Sequence, residues 1–342
     1  MNAATLPADV ILAVLTAAVV HATWNAITHG IKDRLVGFGL LGAGGFLASI
    51  PLVVLCASPR VASWPYLAAS IAIHLLYTAM LMRSYSYGEF SQVYPIARGT
   101  SPLVVTILAV VFVHERPTPV ELAGVLVVSA GMAALTLSGG LHITNRTALI
   151  AAVGTGLTIA AYTTVDGVGV RAAHSPLGYT GWLMMLQSAD MLAISLIARR
   201  RKLLTQPTPL LLRGLLAGAL SLVAYGLVLW AQTRGQLAPI AALRETSVIF
   251  GALIGTVFFK EPFGRRRVIA AAIVAAGILL IAALRVEAEP ETVQGAQPQI
   301  AASVVAVGAG DRRAGQLDDR GTRGLRRERH RLGVDQGQPR SF

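Results

Sequence analysis

Apolar runs the length of a membrane helix follow one another along most of this chain, separated by short polar breaks. A helix that crosses the hydrocarbon core of a bilayer needs roughly 20 predominantly apolar residues. Ten segments meet that requirement, near 8–29, 35–57, 65–87, 91–113, 119–139, 147–170, 176–198, 209–232, 236–259 and 264–284. Prolines punctuate them: Pro117 and Pro119 precede the fifth, Ser175-Pro176 the seventh, and Pro207 and Pro209 the eighth. Proline fits the first turn of a helix, where its missing N–H is not needed. The pattern predicts an all-α polytopic membrane protein with ten transmembrane helices, in contact with the lipid bilayer. The first segment has no basic stretch before it and runs to spanning length, so a span is expected rather than a cleavable signal.

Within this apolar background one polar pattern occurs twice. Tyr94-Pro95-Ile96-Ala97-Arg98-Gly99-Thr100-Ser101 leads through an apolar run to Phe112-Val113-His114-Glu115. Ile240-Ala241-Ala242-Leu243-Arg244-Glu245-Thr246-Ser247 leads through another to Phe258-Phe259-Lys260-Glu261. An offset of 146 (98 to 244) also carries Thr100, Ser101 and Gly131 onto Thr246, Ser247 and Gly277. The repeat unit is therefore five helices, residues 1–141 and 142–285. An odd number of crossings makes the second copy traverse the membrane in the opposite sense, which is the 5+5 inverted repeat of many secondary transporters, with the site at the repeat interface.

Composition narrows the class. Hydrophobic residues make up 54% of the chain and charged residues 13%, about half the charged share of an ordinary globular domain. Arginine outnumbers lysine 26 to 3, a bias that reflects coding composition better than nucleic-acid binding; the formal charge of +12 reads as loop charge that orients helices. No nucleic-acid partner and no cofactor is expected. The single cysteine, Cys56, excludes an internal disulfide. From Val286 onward Arg, Gly, Gln, Pro and acidic residues dominate, so 286–342 is expected to be a disordered tail.

The candidate site follows from intramembrane polarity. Arg98 and Arg244 are charges inside apolar segments, which default to functional roles; a guanidinium stays charged and offers a planar fork suited to a carboxylate. The alternative is a structural role in which each arginine pairs with an acid or with carbonyls. Glu245 is a separate candidate, a carboxylate for proton coupling, because adjacent helical residues point apart. His21, Trp24 and Asn25 are spaced i, i+3, i+4 on one face of the first helix and suit a cavity wall or interhelical hydrogen bonding. Tyr77, with His74, and Tyr94 and Tyr162 add aromatic positions. Pro95 reads equally as a hinge or as a static kink. Glu115 and Glu261 read as capping or loop contacts, and Asp190 as an isolated acid. Glycine pairs Gly214/Gly218 and Gly251/Gly255 read as close-packing positions.

The order of these features resembles the EamA type of the drug/metabolite transporter superfamily, over residues 8–285. The carriers of the resemblance are His21-Ala22-Thr23-Trp24-Asn25-Ala26, the segment Tyr94 to Ser101, Glu115, Gly124 and Gly131, and the copy from Arg244 to Glu261. The sixth helix departs from it: Ala161-Tyr162-Thr163-Thr164-Val165-Asp166 lacks the Trp and Asn of the first. The resemblance implies a ten-helix carrier with a central cavity and termini inside. Basic residues instead concentrate in loops after odd-numbered helices, which by the positive-inside rule puts the termini outside.

The expected function is secondary transport, as an exporter or exchanger of small polar metabolites such as amino acids or organic anions, across the inner (cytoplasmic) membrane by alternating access. Its partners are a small-molecule substrate and a coupling proton or counter-substrate, in a monomer or homodimer. No Gly-x-x-x-x-Gly-Lys-Ser/Thr loop is present to couple ATP. A flippase of a lipid-linked sugar on the same fold is the alternative. An intramembrane enzyme is disfavoured: His114-Glu115 lacks the second histidine of a zinc protease motif, and Gly308-Ala309-Gly310-Asp311 lies in the tail.

Overall fold

Local capping chemistry sets where the helices begin. Thr118 and Glu121 form a reciprocal capping box: the Thr118 N–H donates to Glu121 Oε2 at 2.7 Å and the Glu121 N–H to Thr118 Oγ1 at 3.2 Å. This satisfies two donors that a helix start leaves orphaned. Ser175 accepts from the Gly178 N–H with Pro176 in the first turn, and Asp33 accepts from the Val36 N–H. The computed structural model describes residues 6–28, 31, 33–87, 90–138, 146–259 and 265–288, without the side chains of 85–87, 90–94, 136–138, 259, 265–267 and 283–288.

The described helices are α1 (Ala8–Thr28), α2 (Arg34–Leu55), α3 (Trp64–Tyr87), α4 (Phe90–Phe112), α5 (Pro119–Ser138), α6 (Arg146–Ala173), α7 (Pro176–Leu204), α8 (Thr208–Gln232), α9 (Leu237–Arg244), α10 (Thr246–Phe259) and α11 (Arg265–Ala288), with a 3₁₀ turn at Val61–Ser63 before α3. They make an all-helical membrane protein. Eight spans are long and apolar enough to cross a bilayer, α9 and α10 together making one of them; in α5 and α11 the described apolar stretches, Pro119–Leu135 and Val268–Ala282, are shorter. All but Ala288 belong to one compact unit, Met1–Glu287. The expected disordered tail lies outside the described residues.

Two elements differ from the pattern read in the sequence. The seventh segment continues to Leu204 through a kink at Arg199, where φ is −141° and ψ 26°. The ninth is broken. At Glu245 the α-helical ladder tightens: the Glu245 N–H bonds Ala242 O at 3.0 Å and the Val248 N–H bonds Glu245 O at 3.0 Å. Such a 3₁₀ turn inside a helix often marks a functional hinge.

The packing is interleaved. α2 lies along α7 and α8; α3 packs on α6, and α1 on α8; α4 packs on α6, and α1 on α9 and α10. All eight residues of α9 are buried. One apolar cluster joins it to Val10 and Val14 of α1, Val128 and Met132 of α5, and Val274 of α11; another joins it to Val105 and Ala109 of α4 and Ala160 of α6. Outward faces carry exposed apolar side chains such as Leu12, Val54, Ile150, Ile197 and Leu279, as a lipid-facing belt requires.

Small residues bring backbones together where lipid offers no hydrophobic drive for association. A Cβ on Gly218 of α8 would run into the backbone of Leu41, Gly44 and Gly45 in α2, and one on Gly124 of α5 would lie 2.9 Å from Gly277 O of α11. Gly251 of α10 is different, because nothing lies within 4 Å of a new Cβ there. Gly218→Ala is therefore expected to lower stability by about 1–3 kcal/mol through overpacking, and Gly251→Ala to raise it by about 0.5–1 kcal/mol through helix propensity. Thermal denaturation of the detergent-solubilised chain reads both, and equal effects at the two glycines would count against this packing.

Candidate functional site

The turn between α9 and α10 sets two opposite charges side by side within a buried span. Arg244 closes α9 at its carbonyl end, and Glu245 precedes the amide end of α10. Burial is nearly complete: Arg244 is 5% exposed, Arg98 5% and Glu245 0%. Charges this deep need partners. Glu245 finds its partner across the molecule rather than beside it. Its Oε2 meets Arg98 Nε of α4 at 2.8 Å, a close ionic contact bent off the N–H axis. Arg98 Nη2 also donates to Ser247 Oγ at 2.7 Å. Arg98 is thus held by an acid and a hydroxyl from the start of α10.

Arg244 has a different environment. Its Nε and Nη2 are buried without a hydrogen-bond partner among the described residues, as are Ser101 Oγ and Trp24 Nε1. Its charge acts on the buried groups around it: His21, Glu245, His74, Tyr162, Asp166 and Tyr225. His21 adjoins Trp24, with ring centroids 4.9 Å apart in an edge-on arrangement. The structure therefore gathers Arg98, Arg244, Glu245, His21 and Trp24 around the broken helix. Asn25 stands apart on the exposed side of α1 and donates its amide to His21 O at 2.8 Å. Tyr94 sits on α4, but its side chain lies outside the described residues.

Tyr77 belongs to a second cluster. His74 of α3 stacks on Tyr162 of α6 with centroids 4.0 Å apart, and Tyr77 and Tyr225 approach Tyr162 edge-on at 5.7 and 6.4 Å. One turn beyond Tyr162, Asp166 is fully buried; it accepts from Tyr225 OH at 2.5 Å and Tyr179 OH at 3.2 Å. These bonds tie α6 to α7 and α8. Asp166 was not among the residues chosen from the sequence, although a lone acid in an apolar segment is a signal in itself. His74 also lines a small pocket with Thr78, Gln187 and Asp190 between α3 and α7, which gives Asp190 a place near this cluster.

Glu115 makes the expected capping contact. Its Oε2 accepts from the Leu237 N–H at 2.8 Å, at the start of α9, and its Oε1 pairs with Arg171 Nη2 at 3.0 Å. Arg171 donates further to Gln232 O and Gly235 O, each at 2.7 Å. The end of α4, the end of α6 and the α8–α9 junction are thereby held together at one end of the bundle. Glu261 lies outside the described residues.

Residues 146–283 match the model of the EamA-like transporter family, within the second predicted repeat. No curated protein matches the chain. A solved crystal structure of a protein superposes with a TM-score of 0.63 at 16% identity, covering 80% of this chain and 98% of that one; a likeness at this identity is one of fold alone. The family match supports an EamA-type transporter of the drug/metabolite transporter superfamily, a multi-pass membrane protein.

The two arginines should respond differently to truncation. Removing one partner of a buried ion pair strands the other, which costs about 3–5 kcal/mol. Arg98→Ala is expected to destabilise the chain by about that much, with recovery in the double variant Arg98→Met, Glu245→Leu. Arg244→Ala, which breaks no direct ion pair, is expected to cost less. A thermal-denaturation double-mutant cycle measures this, and an equal loss for the two alanine variants would contradict the pairing.

Proposed function

We propose that this protein is a secondary transporter of small polar metabolites, such as amino acids or organic anions, working by alternating access across the cytoplasmic membrane as an exporter or exchanger. The observation that carries the reading is a charged cluster at a broken, fully buried helix: Arg98, Glu245 and Arg244, flanked by His21 and Trp24. Discontinuous helices whose ends face a mid-membrane site are the usual binding device of secondary transporters.

A ten-helix 5+5 inverted repeat, with copies at 1–141 and 142–285, is part of the same proposal. The packing partners support it. Under a five-helix offset, α1 corresponds to α6, α2 to α7, α3 to α8, and α4 to the α9–α10 pair. Contact of α3 with α6 is then mirrored by contact of α8 with α1, and contact of α4 with α6 by contact of α9–α10 with α1. In such an arrangement α2 and α7 meet across the pseudo-two-fold axis, and rocking of one half against the other exposes the central cluster to each side in turn. A proton or a counter-substrate supplies the coupling.

A thermal-shift screen of the purified full-length chain tests the proposal, with amino acids, organic anions, nucleobases, sugars and cationic drugs as the panel. A ligand that binds only the folded state raises the melting temperature. The expected result is stabilisation by one chemical class, lost in Trp24→Ala, and counterflow of a labelled member of that class in proteoliposomes. Binding without counterflow, or no stabilisation by any compound, would sink the carrier reading.

A further inference from the structure

The two copies of the charged motif differ in one position that decides what each arginine holds. Arg98 is matched from within the protein, by Glu245 at 2.8 Å and Ser247 Oγ at 2.7 Å. The offset that carries Arg98 onto Arg244 carries Ser247 back onto Ser101 and Glu245 back onto Gly99. The hydroxyl is therefore repeated and the acid is not. Nor does the first copy have room for one, because a Cβ on Gly99 would lie 2.9 Å from Met132 Cβ. Arg98 and Glu245 meet through an ionic contact rather than a hydrogen bond, while Arg244 Nε and Nη2, and Ser101 Oγ, are buried with neither an ion pair nor a hydrogen-bond partner among the described residues.

We propose that Arg244 is the seat of a single carboxylate carried by the substrate, and that Arg98 is a structural residue whose acid is built in. The proposal deepens the carrier reading above and rests on it. Charge arithmetic selects the ligand. Arg98 and Glu245 offset each other, and Arg244 is the remaining cation of this cluster, already within the field of the buried acid Asp166, so a single added negative charge is the most it can match. A dianion such as sulfate would leave an uncompensated negative charge in a buried setting, where this is costly. The planar fork of a guanidinium fits the two oxygens of a carboxylate. Ser101 Oγ–H and Trp24 Nε1–H are further buried, unengaged donors, and Trp24 lies against His21, on which Arg244 acts. Both add donors to the cluster around Arg244.

The test compares carboxylates with their neutral amides on the full-length chain in detergent: acetate against acetamide, benzoate against benzamide, with sulfate as the dianion. Binding is read by calorimetry and thermal shift. A charge-assisted hydrogen bond contributes about 1.5–3 kcal/mol, which is roughly a 10- to 100-fold change in affinity. Arg244→Gln should therefore weaken carboxylate binding by at least about tenfold, and the amides and sulfate should bind no better to wild type than to the variant. Ser101→Ala should cost a smaller factor without lowering the melting temperature. Should Arg244→Gln fail to fold, Arg244→Lys takes its place; it keeps the charge, loses the fork, and should bind carboxylates more weakly. Equal binding of acid and amide, undiminished binding in the Arg244 variants, or no carboxylate binding by wild type overturns the assignment. If a panel compound without a carboxylate is nonetheless carried in counterflow, the carrier reading stands while this assignment falls. If carboxylates bind at Arg244 but nothing is carried, the reverse holds.

Discussion

The ion pair between Arg98 and Glu245 is the constraint on which the centre of this molecule depends. Two charges buried at 5% and 0% exposure are tolerable only because they meet, and they meet at the turn that interrupts the ninth apolar segment. The 3₁₀ turn at Glu245 ends α9 and starts α10 at the depth where Arg98 of α4 arrives. The rest of the core is consistent with this. α9 is buried on every side, walled by α1, α5 and α11 on one flank and by α4 and α6 on the other. Its outer end is capped by Glu115, itself tied to Arg171.

Much of the architecture was legible in the sequence because it depends on local signals. Apolar length, Pro-x-Pro and Ser-Pro junctions, and the Thr118–Glu121 box are all read within a few residues, and the helices begin and end close to where those signals put them. The break at Glu245 was not legible. No proline or glycine marks it, and Ala241, Ala242 and Leu243 before it favour a continuous helix; the turn is selected by the distant partner Arg98. Tertiary pairing hid the Asp166 network for the same reason. Its donors Tyr179 and Tyr225 stand 13 and 59 residues away, and no periodicity connects them. In the same way the first-helix triad was read as one face by spacing alone, yet Asn25 spends its amide on its own helix while His21 and Trp24 turn toward the charges. The arginine repeat was visible as a pattern. What it left open was the identity of Glu245's partner, since spacing along one helix says nothing about the helix that packs against it.

The placement of Arg244 among buried acids has a kinetic side. Glu245 and Asp166 both lie within its electrostatic reach and offset part of the guanidinium's field. The carboxylate proposed for Arg244 is therefore attracted by less than a full, bare cation. For a receptor that would be a loss of affinity. For a carrier it is a gain in tempo: differences in affinity between related complexes lie mainly in the dissociation rate, so a partly muted charge shortens the residence of each occupant and limits the time the protein spends committed to one molecule. Arg98, locked to an acid of its own chain, has no such requirement to let go.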